Sequence, residues 1–226
     1  MIQTCYMCEK EKTSREHVPP KCIFPEKKDL PEGFDFRKNL IKVPSCDTHN
    51  SHKSQDDEYL MFILSCTLQG NEHKDNHFIS KIMRAIERKP HVYSSFMSNL
   101  KPIYLRDESG IMQESACFKV NLERFDNIMQ HLSCGLYYHH YKKKWVGGFK
   151  IFTNAFVEID AHNAPEVNKT IQDVNARVSK AFSDSISFGE NNKIFQYKLV
   201  SNDKNQHAIN MVFYEGIEIT VLLNSI

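Results

Sequence analysis

Cys5-Tyr6-Met7-Cys8 and Cys46-Asp47-Thr48-His49 share one spacing, and that match decides how the first part of the chain is read. A tight C-x-x-C turn lets two side chains reach the same ion. A lone pair is weak evidence, but two matched halves make a Cys₃His set suited to a structural Zn²⁺, with no position left open for water. The chain carries seven cysteines, an odd number, and its first residues lack the apolar core of a signal peptide. Metal binding is therefore expected over a disulfide framework, and the cytosol is the expected compartment. Cys22 is an alternative ligand without a partner at this spacing. Cys66, Cys117 and Cys134 lie in apolar surroundings and read as core.

Between the halves stands Arg15-Glu16-His17-Val18-Pro19-Pro20-Lys21. Around the second half come Asn39-Leu40 and Asn50-Ser51-His52-Lys53. In this order, over about residues 5–54, the motifs resemble the HNH endonuclease family. The resemblance implies a ββα-metal module, in which a hairpin and a helix hold a catalytic ion inside a zinc clamp. It implies His17 as the general base that takes a proton from water, and Asn39 as the residue that orients the base. It further implies Glu16 and Asn50 as catalytic ligands of a divalent ion. Two positions depart from the usual pattern: His49 stands where Cys is commoner, and Glu16 where Asp is commoner.

The chemistry can be argued without the family. A near-neutral imidazole can deprotonate water at working pH. A hard cation polarises phosphate, and oxygen ligands suit Mg²⁺ or Mn²⁺, whereas His52 nearby would favour softer ions. Lys53 and Arg37 flank the motif and are the preferred phosphate contacts, which give affinity but little sequence information. The plain alternatives are a loop histidine bonded to a carbonyl for His17, a turn residue for Asn39 and a solvent-facing helical residue for Asn50.

Three regions separate by texture: a module at 1–66, a helical connector at 67–103 and a C-terminal domain at 104–226. A helix is expected from Asp47, ending on an all-round apolar stretch from Tyr59 to Leu64. In the connector, Ile79, Ile82, Met83 and Ile86 recur at helical spacing on a helix made basic by Lys81 and Arg84. Further on, 115–121 reads as a strand. Leu122–Leu136 and Val167–Phe182 read as helices. GGFKIFTNAFVEID, KIFQYKLV, AINMVFY and IEITVLL read as strands, the last two joined by a hairpin at Glu215-Gly216. The fold class expected is α+β, with a mainly antiparallel sheet in the C-terminal domain. Tyr137–Trp145, rich in aromatics and lysines, reads as the end of an amphipathic helix, with base stacking as the alternative.

The net charge of +1 gives no overall basic field, so a nucleic-acid partner rests on local patches. No apolar run reaches the roughly 18 residues of a membrane span. The function expected is a metal-dependent endonuclease acting on DNA, with a role in defence or restriction by analogy. The rivals are an RNA-directed nuclease and a non-catalytic zinc-stabilised nucleic-acid-binding or adaptor protein. A homodimer, or a protein partner on the C-terminal domain, is a further expectation.

Overall fold

The computed structural model describes residues 3–50, 53–88, 90, 94, 99–106, 109–203 and 206–224. A short antiparallel hairpin, β1 (Ser14–His17) and β2 (Lys42–Ser45), brings the two halves of the metal motif together. Its register pairs Ser14 with Ser45, Glu16 with Val43 and His17 with Lys42. The segment before β1 is tied to β2, because Tyr6 N–H donates to the Pro44 carbonyl (2.8 Å) and Thr13 N–H to the Ser45 carbonyl (3.0 Å). Successive strand side chains point to opposite faces, so Glu16 is buried while Arg15 is exposed.

The helix expected from Asp47 begins later. Asp47–His49 is a 3₁₀ turn, held by His49 N–H on the Cys46 carbonyl and Asn50 N–H on the Asp47 carbonyl. Such i→i+3 bonds curl the chain tightly enough for Cys46 and His49 to face one point. Helix α1 then runs Ser54–Cys66 and buries every residue from Tyr59 to Ser65. Each of its large apolar side chains stabilises the fold by about 1.5–3 kcal/mol on burial, so its all-round apolar character makes it the central strut.

The connector is less regular than its sequence suggests. It comprises α2 (Glu72–His77), a π-helical turn (Phe78–Ile82) and α3 (Met83–Arg88). A π turn adds a residue to the repeat and rotates the apolar stripe. Ile82 is buried as a result, while Ile79 and Met83 are exposed. The chain next forms a ribbon of β3 (Lys101–Arg106) and β4 (Met112–Cys117). Strand β3, with Pro102 inside it, was not anticipated. A proline is tolerated because both strands of a two-stranded ribbon are edges.

Helix α4 (Leu122–Tyr141) starts at Asn121, whose side chain accepts from the Arg124 N–H. Strand β5 (Gly148–Thr153), helix α5 (Ala164–Ala181) and strands β6 (Ser187–Phe188), β7 (Phe195–Ser201), β8 (His207–Phe213) and β9 (Ile217–Asn224) complete the chain. These strands form one antiparallel sheet in the order β5-β9-β8-β7-β6. The architecture is α+β with antiparallel sheets. Ile209, Met211, Ile219 and Val221 join the core on one face. On the opposite face α5 is tied down by Ser179 on Glu218 and by Asn175 on the Thr153 carbonyl (2.7 Å).

The core is continuous from Cys5 to Leu223 and does not break where the sequence texture changes. Two contacts join its ends. A Cβ built on Gly135 of α4 would lie 2.7 Å from a Val18 methyl, so glycine is what lets α4 close on the residue after His17. Tyr214, in the β8–β9 turn, has φ of 48°, an uncommon conformation for an aromatic residue. Its buried hydroxyl donates to the Ile23 carbonyl at 2.6 Å.

Candidate metal centre and hydrolytic site

Cys5, Cys8, Cys46 and His49 converge so that their ligand atoms all lie within 4.8 Å of one another. The Cys8 and Cys46 sulfurs are 3.7 Å apart, and His49 Nδ1 lies 3.4, 3.5 and 3.3 Å from the sulfurs of Cys5, Cys8 and Cys46. Zn–S bonds of about 2.3 Å and a Zn–N bond of about 2.0 Å at tetrahedral angles give S···S edges of about 3.8 Å and S···N edges of about 3.5 Å. These four of the six edges therefore match a zinc tetrahedron, and the two remaining sulfur–sulfur edges, from Cys5 to Cys8 and to Cys46, lie within 4.8 Å. Cys5 and Cys46 are buried, and Cys8 and His49 half-buried, which suits a closed structural site. Burial raises the Cys8 thiol. Burial acts the same way on Cys46, but the His49 N–H and the neighbouring thiols outweigh it, so Cys46 is shifted downward. Lys144 braces the first turn by donating to the Cys8 carbonyl (2.7 Å) and to Glu9 (2.8 Å). The Tyr137–Trp145 run thus packs and braces: Tyr137 and Trp145 are buried, and His140 meets the Tyr197 hydroxyl at 2.9 Å. The alternative ligand Cys22 is instead turned toward the Asp57 carbonyl.

No family model, curated protein or solved structure matches the chain.

His17 ends β1, half-buried, with no hydrogen bond to its ring among the described residues. Its pKa is lowered, first by burial and then by the charges of Lys42, Lys21 and Arg37. The imidazole is therefore neutral at physiological pH and faces a cationic surround. Lys42 and Lys21 are exposed. Neither was singled out from sequence as a preferred contact, although the parity of the hairpin register, which sets Lys42 opposite His17, is the signal that finds it. Arg37 is more constrained than expected, since its Nε donates to the Phe24 carbonyl (3.0 Å) and its guanidinium lies 3.6 Å from Glu26. The basic connector helix faces the same loop: Lys81 donates to the Cys22 carbonyl, and Arg84 grips Asp29 with two bonds of 2.9 and 2.7 Å.

Two of the residues given roles from sequence are buried. Glu16 is only 3% exposed and accepts from the Tyr6 hydroxyl (2.9 Å) and from the Lys53 ammonium. Lys53, expected on a phosphate-facing surface, is also 3% exposed and lies 3.7 Å from Asp57. Adjacent strand residues face opposite ways, so Glu16 points into the module where His17 does not. Asn50 precedes α1 rather than lying on it, and donates to Ser14 Oγ at 2.8 Å. His52 lies outside the described residues. Asn39 is exposed with φ of 50°, and its amide donates to Glu190 of the β6–β7 connection, not to His17.

The residues that the resemblance assigns to a second, exchangeable divalent ion are engaged by other side chains in this structure. Glu16 is held by an ammonium and a phenol, and Asn50 by a serine. Among the described residues the Cys/His cluster is the one group of three or more His, Cys, Asp or Glu side chains placed to hold a metal ion. Two concavities of about 250 and 320 Å³ lie on the C-terminal sheet, and neither is lined by His17. The imidazole sits at a strand end, with Lys42 and Lys21 exposed beside it. Among the described residues no helix is long and apolar enough to cross a membrane.

Proposed function

We propose that this chain is a zinc-clamped, HNH-type phosphodiester hydrolase acting on nucleic acid, with DNA the first candidate substrate. The observation that carries the reading is a neutral, half-buried imidazole at His17 beside Lys42, Lys21 and Arg37, on a hairpin pinned by a Cys₃His cluster. The cluster would hold Zn²⁺ through Cys5, Cys8, Cys46 and His49, and zinc there supplies rigidity and no chemistry. His17 takes a proton from water as the water oxygen attacks phosphorus. The bond to the leaving oxygen then breaks, and that oxygen takes a proton from solvent. Lys42, Lys21 and Arg37 neutralise the charge that builds on the phosphate.

A second reading is favoured by one observation, the buried Glu16–Lys53 pair. On that reading the module keeps the zinc-stapled scaffold and binds nucleic acid without cutting it. A nicking assay on supercoiled plasmid separates the two. Zinc-loaded protein is compared with His17→Ala in buffers with and without Mg²⁺ or Mn²⁺. Hydrolysis by the wild type, reduced by about 10²–10⁴-fold in the variant, is expected for loss of a general base. The rate should fall as pH drops through the His17 pKa, below its ordinary value of 6.5, because only the neutral ring accepts a proton. Equal rates in both proteins refute the role of His17. Binding without hydrolysis in every buffer establishes the second reading. Duplex DNA, single-stranded DNA and RNA of matched sequence identify the polymer.

A further inference from the structure

We propose that the β6–β7 connection of the C-terminal sheet is part of the hydrolytic site, with Glu190 a positioning residue and Asn191 its companion. The inference rests on the hydrolase reading for its catalytic consequence, though not for its structural content. It assigns the C-terminal domain a task other than recognition of a partner, namely holding the loop that faces His17.

The long loop between β1 and β2 carries Lys21, Arg37 and Asn39, yet is stiffened only by short 3₁₀ turns at Lys21–Ile23 and Lys27–Asp29. A loop of this length without longer secondary structure is uncommon unless something fixes it. Its first part is fixed from below, by Tyr214 on the Ile23 carbonyl and by Lys81 on the Cys22 carbonyl. The middle is fixed by Arg84 on Asp29. The last part, which leads into β2 and so to Lys42 opposite His17, is met by the β6–β7 connection. Asn191 donates to the Lys38 carbonyl at 3.0 Å, and Glu190 accepts from the Asn39 side-chain amide. Asn39 adopts φ of 50°, a conformation that Asn tolerates better than most residues but still must be held. Two residues on, the Ile41 carbonyl accepts from Val18 N–H at 3.0 Å. The path from Glu190 to His17 thus runs through one backbone segment.

The β6–β7 connection is itself anchored. Ile194 N–H donates to the Asn191 carbonyl, Tyr214 N–H to the Ile194 carbonyl, and the Asn71 amide to both the Lys193 carbonyl (2.8 Å) and Glu215 (2.7 Å). Asn191, Tyr214 and Asn71 therefore belong to one braced edge that presents Glu190 to Asn39. Asn39, assigned from sequence to orient the base directly, is here the receiver of a clamp that fixes its own loop.

The test uses the full zinc-loaded chain and the variants Glu190→Ala, Glu190→Gln and Asn191→Ala. Glutamine keeps a carbonyl oxygen that accepts from Asn39, so it is the conservative rescue. Amide hydrogen exchange at residues 38–42 and at Val18 is read first, because it needs no enzymatic activity. Each alanine variant should speed exchange there by about fivefold to tenfold, the factor that the loss of one ordinary hydrogen bond makes. Glu190→Gln should stay near wild type, and zinc content should be unchanged in all three. With plasmid as the probe, the alanine variants should lower kcat by a similar factor with little change in KM. Unchanged exchange in both alanine variants overturns the clamp, whatever the nicking assay gives. Faster exchange with unchanged kcat overturns the catalytic consequence alone. A wild type that does not cleave refutes the hydrolase reading and leaves the clamp to be decided by exchange.

Discussion

Replacing Lys53 with methionine tests the reasoning about the module's interior most severely. The ammonium contacts Glu16 and lies 3.7 Å from Asp57, and the Lys53 and Glu16 side chains are 3% and 4% exposed. Methionine fills most of the volume but leaves the buried Glu16 carboxylate and the half-buried Asp57 carboxylate without the cation they share. Removing one partner of a buried ion pair typically destabilises by about 3–5 kcal/mol. The loss should depend on pH in a definite direction. Burial already raises Glu16, with Lys53 and Tyr6 pulling the other way, and burial raises Asp57 to about 6 against the opposing charge of Lys53. Without the ammonium both move further up. An acid with a folded-state pKa above its unfolded value binds more protons when folded. Stability therefore falls as pH rises from the unfolded pKa to the folded one. Urea unfolding of the zinc-loaded variant should show the full deficit near pH 8 and a much smaller one near pH 5. The double variant Glu16→Gln with Lys53→Met should recover most of it, since a neutral amide can still accept from Tyr6. A single variant within about 1 kcal/mol of wild type at pH 8, the range of a solvated surface pair, would refute the reasoning. It would place Glu16 in solvent and restore it as a candidate ligand for a divalent ion.

Two further outcomes follow from the same geometry. Cys46→Ser should abolish stoichiometric zinc by elemental analysis and unfold the hairpin by circular dichroism, because apparent binding free energies of about 10–16 kcal/mol for structural zinc are folding free energy; a variant that keeps both zinc and hairpin would contradict the cluster. Lys42→Ala and Lys21→Ala should each lower the slope of log K against log salt for duplex DNA by about 0.9, one phosphate contact apiece. Lys53→Gln should leave that slope unchanged, whereas equal effects at all three sites would argue for diffuse attraction.

Much of the site and sheet was legible in the chain. The metal ligands announce themselves because both halves are local turns, whose spacing alone decides whether two side chains can share an ion. Four of the five strands of the C-terminal sheet and its two long helices were visible as periodic apolar runs, whereas the two-residue strand Ser187–Phe188 was not. The structure places them at Gly148–Thr153, Phe195–Ser201, His207–Phe213, Ile217–Asn224, Leu122–Tyr141 and Ala164–Ala181. The 3₁₀ turn after Cys46, the π turn at Phe78–Ile82 and strand β3 were less accessible. Each departs from local preference, to reach an ion, to rotate a stripe or to accommodate a proline.

The ligand set and the alternation of strand faces are properties of short segments, so the sequence determined them by itself. Alternation already required Glu16 and His17 to point apart, but not which of them faces inward. Only the packed structure decided that Glu16 and Lys53 neutralise each other in the interior, that Asn50 turns to Ser14, and that Glu190 meets Asn39. The physical reason is that a charge leaves water only when a partner arrives with it. These partners come from segments that sequence spacing does not relate.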